Sequence, residues 1–188
     1  MAQSSELIVE ELRPAPDPWS VAQNWMGDPG LIFFDSADRQ SPLARFSYVA
    51  ADPRAVVRLR VGDYADPFAE LDRLLPRERV DSRPELPPFQ GGVAGLFGYG
   101  LGRAIERLPI PPIDEFAVPD LAVGVYDWVI SFDHAQNRAW LVSRNKEEFQ
   151  RVRDRVASPI PSSTRIERRI TPASQYPLPG HPGRHPDG

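Results

Sequence analysis

Proline divides this chain before any periodicity does. The residues cluster at Pro14/Pro16/Pro18, Pro84/Pro87/Pro88 and Pro109/Pro111/Pro112, and recur throughout the sequence from Pro159 onward. A proline removes a backbone donor and fixes φ, so such clusters interrupt helices and central strands and mark loops. Regular structure must therefore fall between them, and the folded segments are short.

Those segments read mostly as strands. LIFFDS from Leu31 is a dense apolar run, and ARFSYVAADP closes at Asp52-Pro53, so the two make an antiparallel pair around the polar loop DSADRQSP. AVVRLRV (Ala55 to Val61) alternates apolar residues with arginine as a half-exposed strand does, and ends at the turn signal Gly62-Asp63. LAVGVYDWVISFD (Leu121 to Asp133) reads as the strongest strand of the chain and meets RAWLVS (Arg138 to Ser143) in a hairpin turning at His134-Ala135-Gln136-Asn137.

Two helices are predicted. ADPFAELDRLL has Asp66 as N-cap, Pro67 in the first turn, and Phe68, Leu71 and Leu75 on one face. NKEEFQRVRDRVA places Phe149, Val152 and Val156 on one face and charge on the other. YGLGRAIERL is long enough for one or two further turns. The fold class that follows is α+β, a mostly antiparallel sheet with a few flanking helices. Residues 1–28 read as a lead-in and 29–157 as the domain. The Pro/Gly-rich tail 158–188 has the composition of a disordered segment.

Charge and composition exclude several classes of function. The 188 residues carry a net charge of -4 with both signs interspersed, which offers nucleic acid no basic surface. No apolar run is long enough to span a membrane. MAQSSELIVEELRP lacks a basic start followed by an apolar core, so a cytoplasmic location is expected. The absence of cysteine removes disulfides, thiol nucleophiles and thiolate metal sites.

The glycine-rich stretch GGVAGLFGYG, Gly91 to Gly100, raises the question of phosphate binding. A Walker loop needs lysine and a hydroxyl residue after its last glycine, and here Gly102 is followed by Arg103-Ala104. A dinucleotide fingerprint needs an acid at the end of a second strand, whereas Asp114 and Asp120 lie in a proline-rich loop. Glycines inside a strand otherwise mark a bulge or close backbone approach. His134 reads as a turn residue with Asp127 and Asp133 as nearby acids, while His181 and His185 lie in the tail. Asp114-Glu115 reads as a solvated pair, since a divalent cation needs several convergent oxygens. Trp128 and Trp140 read as core aromatics of the hairpin, and no complete catalytic or metal constellation is visible.

PFQGGVAGLFGYGLGRAIERLP and PDLAVGVYDWVISFDH, in this order and spacing, resemble the N-terminal region of the aminodeoxychorismate synthase large subunit and its relative, anthranilate synthase component I. The resemblance runs from near Leu31 to about Ser143. It marks Gly91, Gly92, Gly95, Gly98, Tyr99, Tyr126, Asp127 and Trp128 as motif positions. It implies that the complete protein aminates chorismate with ammonia from a glutamine amidotransferase subunit. The Mg²⁺ ligands and chorismate-binding residues would lie in a C-terminal domain that follows where the proline-rich tail stands here. This chain then has no catalytic residues, metal or cofactor of its own.

In that family the N-terminal region packs against the catalytic domain and, in anthranilate synthase, carries part of a tryptophan feedback site. The matching positions are Asp35-Ser36 and Arg45-Phe46-Ser47. Gly100 stands where many members have aspartate. Two readings of function remain open on this basis, a non-catalytic scaffold or regulatory domain of a folate-pathway (4-aminobenzoate) synthase and a stand-alone tryptophan-binding module. A nucleotide-dependent enzyme using the glycine segment is a third.

Overall fold

Two antiparallel sheets share one stretch of chain. A computed structural model describes residues 7–60, 66–75, 82–109 and 118–158. The elements in order are β1 (Ile8–Leu12), α1 (Pro18–Gln23), β2 (Ile32–Phe34), β3 (Phe46–Ala50), β4 (Ala55–Leu59), α2 (Pro67–Leu74) and β5 (Gly92–Phe97). A 3₁₀ turn (Tyr99–Ala104) follows, then β6 (Leu121–Tyr126), β7 (Trp128–Asp133), β8 (Arg138–Ser143) and α3 (Lys146–Ala157). One sheet has the order β1-β8-β7-β3-β2 and the other β4-β6-β5, with every pairing antiparallel. The fold is α+β, as the strand-rich pattern implies.

The run from Leu121 to Asp133 departs from its reading as one strand. It breaks at Asp127 and passes from the middle of the small sheet into the large one. Asp127 holds the crossing, because its carbonyl accepts from Arg144 N at 2.9 Å and from Ser143 Oγ at 3.3 Å. Continuous apolar composition on both sides hid the break, since both strands are covered on both faces and neither shows alternation.

One face of the large sheet packs Trp128, Ile130, Phe132, Leu141 and Val49 against Val21, Ala22 and Trp25 of the α1 region and Phe149 and Val152 of α3. The rings of Trp25 and Trp128 lie 5.1 Å apart. The opposite face gathers Val129, Trp140 and Val142 with Ala50, Ala94 and Tyr126, and Leu86 and Phe89 pack on it. Gln90 closes that covering loop by bonding both the N–H and the carbonyl of Arg83, at 2.9 and 2.8 Å. In the small sheet, Leu59, Leu121 and Val123 pack with Leu101 of the 3₁₀ turn and Leu71 of α2.

Helix signals behave as their chemistry requires. Asp66 accepts from Phe68 N and Ala69 N, and Asn145 caps α3 through Glu147 N and Glu148 N. Val156 packs beside the buried Phe149 and Val152. Of the three α2 residues expected on the core side, only Leu71 packs there, and Phe68 and Leu75 are exposed. The helix is only two turns long, so one apolar position suffices to seat it.

The segment read as a lead-in contains β1 and α1. β1 pairs with β8 from Ile8↔Ser143 to Leu12↔Ala139. Asp17 caps α1, accepting from Ser20 N at 2.8 Å with Pro18 in the first turn. Gly62-Asp63, Asp114-Glu115, His181, His185 and the tail from 159 lie outside the described residues.

Candidate functional site

The residues at the end of β2 and the start of β3 converge with the hairpin tip of β7. Ser36 N donates to Ser47 Oγ at 3.0 Å, and Ser36 Oγ donates to the Phe46 carbonyl at 2.6 Å. Ser47 Oγ donates to Asp35 Oδ1 at 3.0 Å and lies 2.7 Å from His134 Nε2. A hydroxyl has one proton and two lone pairs. Ser47 gives its proton to Asp35 and receives Ser36 N–H, so the remaining lone pair takes a proton from His134, which fixes the Nε2–H tautomer.

This order excludes the arrangement that activates a serine. In nucleophilic triads the imidazole stands between hydroxyl and carboxylate and accepts the hydroxyl proton. Here the hydroxyl stands between carboxylate and imidazole, and Ser47 is fully buried. The network is a lock that joins β2, β3 and the hairpin tip. Burial holds His134 below its ordinary 6.5, Arg39 adds to that, and Asp35 and Asp133 oppose it.

Arg45 makes a forked contact with Asp133, with Nη2 at 2.8 Å from Oδ2 and Nε at 3.2 Å from both oxygens. Asp133 is buried and also accepts from Ala135 N at 3.0 Å and Gln136 N at 3.3 Å. Against the cost of burial, Arg45 and these turn amides hold its carboxyl below the usual range. Arg45 is half-exposed and lies over the Phe46 ring, 4.7 Å from its centroid. Arg39 pairs with Asp35 at 3.0 Å. The buried Asp133 and half-buried Asp35 carboxylates thus sit behind a front of two guanidiniums, beside an open cavity of about 410 Å³ lined by Arg39, Ser41, Arg45 and His134.

All five residues singled out in sequence, Asp35, Ser36, Arg45, Phe46 and Ser47, therefore meet at one place. His134 joins them, with Ser47, Asp35 and Asp133 as its polar surroundings. Asp127, expected nearby, stands at the opposite end of β7. Sequence reasoning missed the Ser47–His134 contact because 87 residues separate the partners. Among the described residues no group of three or more His, Cys, Asp or Glu side chains converges as a metal site would. No helix among them is long and apolar enough to cross a membrane.

The glycine and VYDW motifs occupy the seam between the sheets. Gly91, Gly92 and Gly95 have φ of 100°, 111° and 148°. A β-carbon on Gly95 would overlap the Ala122 carbonyl and come within 2.8 Å of Val123 Cα, so the segment is a strand pressed onto β6. At Gly98 the backbone N–H bonds the Asp120 carbonyl at 2.8 Å. The space a side chain at Gly100 would need is filled by the Asp120 carboxyl and Arg103. Tyr126 donates to the Gly30 carbonyl at 2.6 Å, and Asp127 accepts from Arg54 Nε at 3.1 Å. Tyr99 is 90% exposed, which marks the end of this strand as an unusually bare surface.

Aminodeoxychorismate synthase component 1 of Escherichia coli is 35% identical over 139 residues, covering 66% of this chain and 30% of the relative. The Salmonella typhimurium protein of that name is 32% identical over 160 residues, 78% of this chain and 35% of the relative. Anthranilate synthase component 1 of Thermus thermophilus is 34% identical over 159 residues, 77% of this chain and 30% of the relative. The match spans about a third of each of these proteins. The crystal structure of anthranilate synthase component I from Streptococcus pneumoniae shares the fold, with a TM-score of 0.51 and 22% identity over 68% of this chain and 37% of that one. No family model matches the chain.

Proposed function

We propose, from the distant homology of this chain to the anthranilate and aminodeoxychorismate synthase component I family, that it is the N-terminal, non-catalytic region of a chorismate-aminating component I, acting as scaffold to a catalytic region. The observation that carries this reading is the extent of the match, which covers most of this chain and about a third of each relative. Aminodeoxychorismate synthase is the affiliation named first, on the order and spacing of the sequence motifs; the relatives of that name, at 35% and 32% identity, and the anthranilate synthase relative, at 34%, match to a similar extent. The Ser47 geometry agrees, for it offers a structural lock in place of an activated nucleophile.

The test uses the chain and the E. coli relative shortened to the two-thirds outside the match. The chain alone, given chorismate, ammonia and Mg²⁺, forms no product. Added to the shortened relative, it raises that fragment's turnover. Turnover by the chain alone, or no effect on the fragment, overturns the reading.

A second reading, a tryptophan-binding regulatory role, is favoured by the convergence of Asp35, Ser36, Arg45, Phe46 and Ser47 beside the Arg39–His134 cavity. Calorimetry with tryptophan tests it. Absence of heat at millimolar ligand removes it and leaves the scaffold reading untouched. The glutamine amidotransferase subunit and a cytoplasmic location belong to the same proposal.

A further inference from the structure

The lock leaves one nitrogen of His134 unengaged. Its Nε2–H goes to Ser47 Oγ, so the proton acceptor of the ring is Nδ1. Nδ1 meets no hydrogen-bond partner among the described residues, and unlike the enclosed indole N–H groups of Trp25 and Trp128 it is open to solvent. The ring lines the cavity of about 410 Å³ and also a second, of about 290 Å³, that reaches Asp17 and Arg138.

The two guanidiniums of the larger cavity also keep bonding capacity. Arg45 gives Nε and Nη2 to Asp133, and Arg39 gives Nη2 to Asp35. Both side chains are exposed and line the cavity, and their remaining guanidinium N–H groups meet no acceptor among the described residues. Asp35 and Asp133 hold them from behind, so the arginines are fixed in place without being saturated.

Charge around the ring balances until the ring takes a proton. Arg39 is paired with Asp35, Arg45 with Asp133 and Arg138 with Glu11, while Asp17 accepts from the first turn of α1. A proton on Nδ1 therefore finds no unengaged carboxylate among these groups, and Arg39 repels it. It leaves the lock intact, because Nε2–H goes on donating to Ser47. It also gives the cavity one unbalanced positive charge and a new N–H donor beside the two guanidiniums, which together make a donor set suited to an oxyanion.

We propose that this cavity binds a small oxyanion, a carboxylate or its sulfonate equivalent, together with a proton on His134 Nδ1. Nδ1–H, Arg39 and Arg45 donate to the anion. Burial and Arg39 hold His134 below 6.5, so at neutral pH the ring is uncharged and the site is weak. By linkage the anion raises the proton affinity of His134 by the same factor as the proton raises the affinity for the anion. The cavity is the one beside the tryptophan reading, but the proposal rests on neither that amino acid nor the scaffold role.

The probe is sulfate, whose charge does not change between about pH 5 and 8. Amide and imidazole NMR of the full chain follows sodium sulfate against sodium chloride of equal ionic strength, at about pH 5.5 and about pH 7.5. Sulfate binds about tenfold more tightly at the lower pH, and saturating sulfate raises the His134 midpoint by about one unit, the same quantity read from the proton's side. His134→Gln, whose amide can still donate to Ser47, reduces the difference between the two pH values to less than twofold. Arg39→Gln, at an exposed position, weakens binding at both. The wild-type midpoint decides the case without either variant. The proposal is overturned if chloride moves that midpoint as far as sulfate does, if affinity is equal at the two pH values, if the responding amides lie away from residues 35–45 and 133–137, or if no binding appears at about 100 millimolar sulfate. No chorismate, catalytic fragment or tryptophan enters the experiment, so this inference stands or fails apart from both readings of function.

Discussion

Gly95→Ala is expected to be among the most damaging single methyl additions in the chain, and the structure permits the effect to be divided. The new methyl would overlap the Ala122 carbonyl, stand 2.8 Å from Val123 Cα and 3.1 Å from Ala122 C. All three atoms are backbone of β6, which is hydrogen-bonded on both sides and cannot give way as a flexible side chain could. Overpacking of this kind costs ~1–3 kcal/mol. Alanine at φ 148° adds backbone strain of ~1–3 kcal/mol, reduced by ~0.4–1 kcal/mol through the stiffer unfolded chain. One shift of β5 relieves part of both terms, so the expected net loss is ~2–4 kcal/mol.

Gly92→Ala is the control, because its φ of 111° carries the same kind of strain while nothing lies within 4 Å of the added methyl. Its expected loss is ~1–2 kcal/mol. Urea unfolding followed by tryptophan fluorescence measures both, with the buried Trp25 and Trp128 as reporters. With a urea slope of ~1–3 kcal/mol per molar, the two midpoints should separate by roughly half a molar or more. If the two variants unfold within ~0.5 kcal/mol of each other, close approach to β6 is not the reason for glycine at this position.

Three further outcomes follow from contacts elsewhere. Nitrogen-15 NMR of His134 should show the Nε2–H tautomer and a titration midpoint below 6.5; the stability it confers is present above 6.5 and lost as pH falls through the lowered folded value. Arg138 foremost, with Arg13, holds Glu11 at about 2 against an ordinary 4.5, so wild-type stability should fall with acidification from about 4.5 to about 2, and Glu11→Gln should flatten that part of the profile. Tyr126→Phe removes the donor to the Gly30 carbonyl and should cost ~1 kcal/mol in urea unfolding, with the slope unchanged.

Short-range chemistry was the legible part of the fold. The Asp66 cap and the β7–β8 turn with Asn137 at φ 51° depend on neighbours a few residues apart, and the β2–β3 pair on one polar loop between its strands. The same reasoning should reach α1, because Asp17-Pro18 repeats the signal of Asp66-Pro67, yet it stands inside a proline cluster that reads as loop. β1 was hidden for a different reason. An edge strand of five half-buried residues depends on β8, whose partners lie from 127 positions away at Leu12↔Ala139 to 135 at Ile8↔Ser143, and carries no strong pattern of its own. At the site, the five residues were visible as a pair of short motifs, but Asp133 and His134 enter through the β3–β7 pairing, which no local spacing announces.

The crossing at Asp127 has a consequence for how the molecule opens. β6 is the central strand of one sheet, and β7 lies inside the other, with a single residue between them. Withdrawing either strand drags on the end of its neighbour, so the sheets are laced like two pages on one thread. Slow amide hydrogen exchange at Val123 and Val125 should then report the same event as exchange at Ile130 and Phe132, with one protection free energy across both sheets.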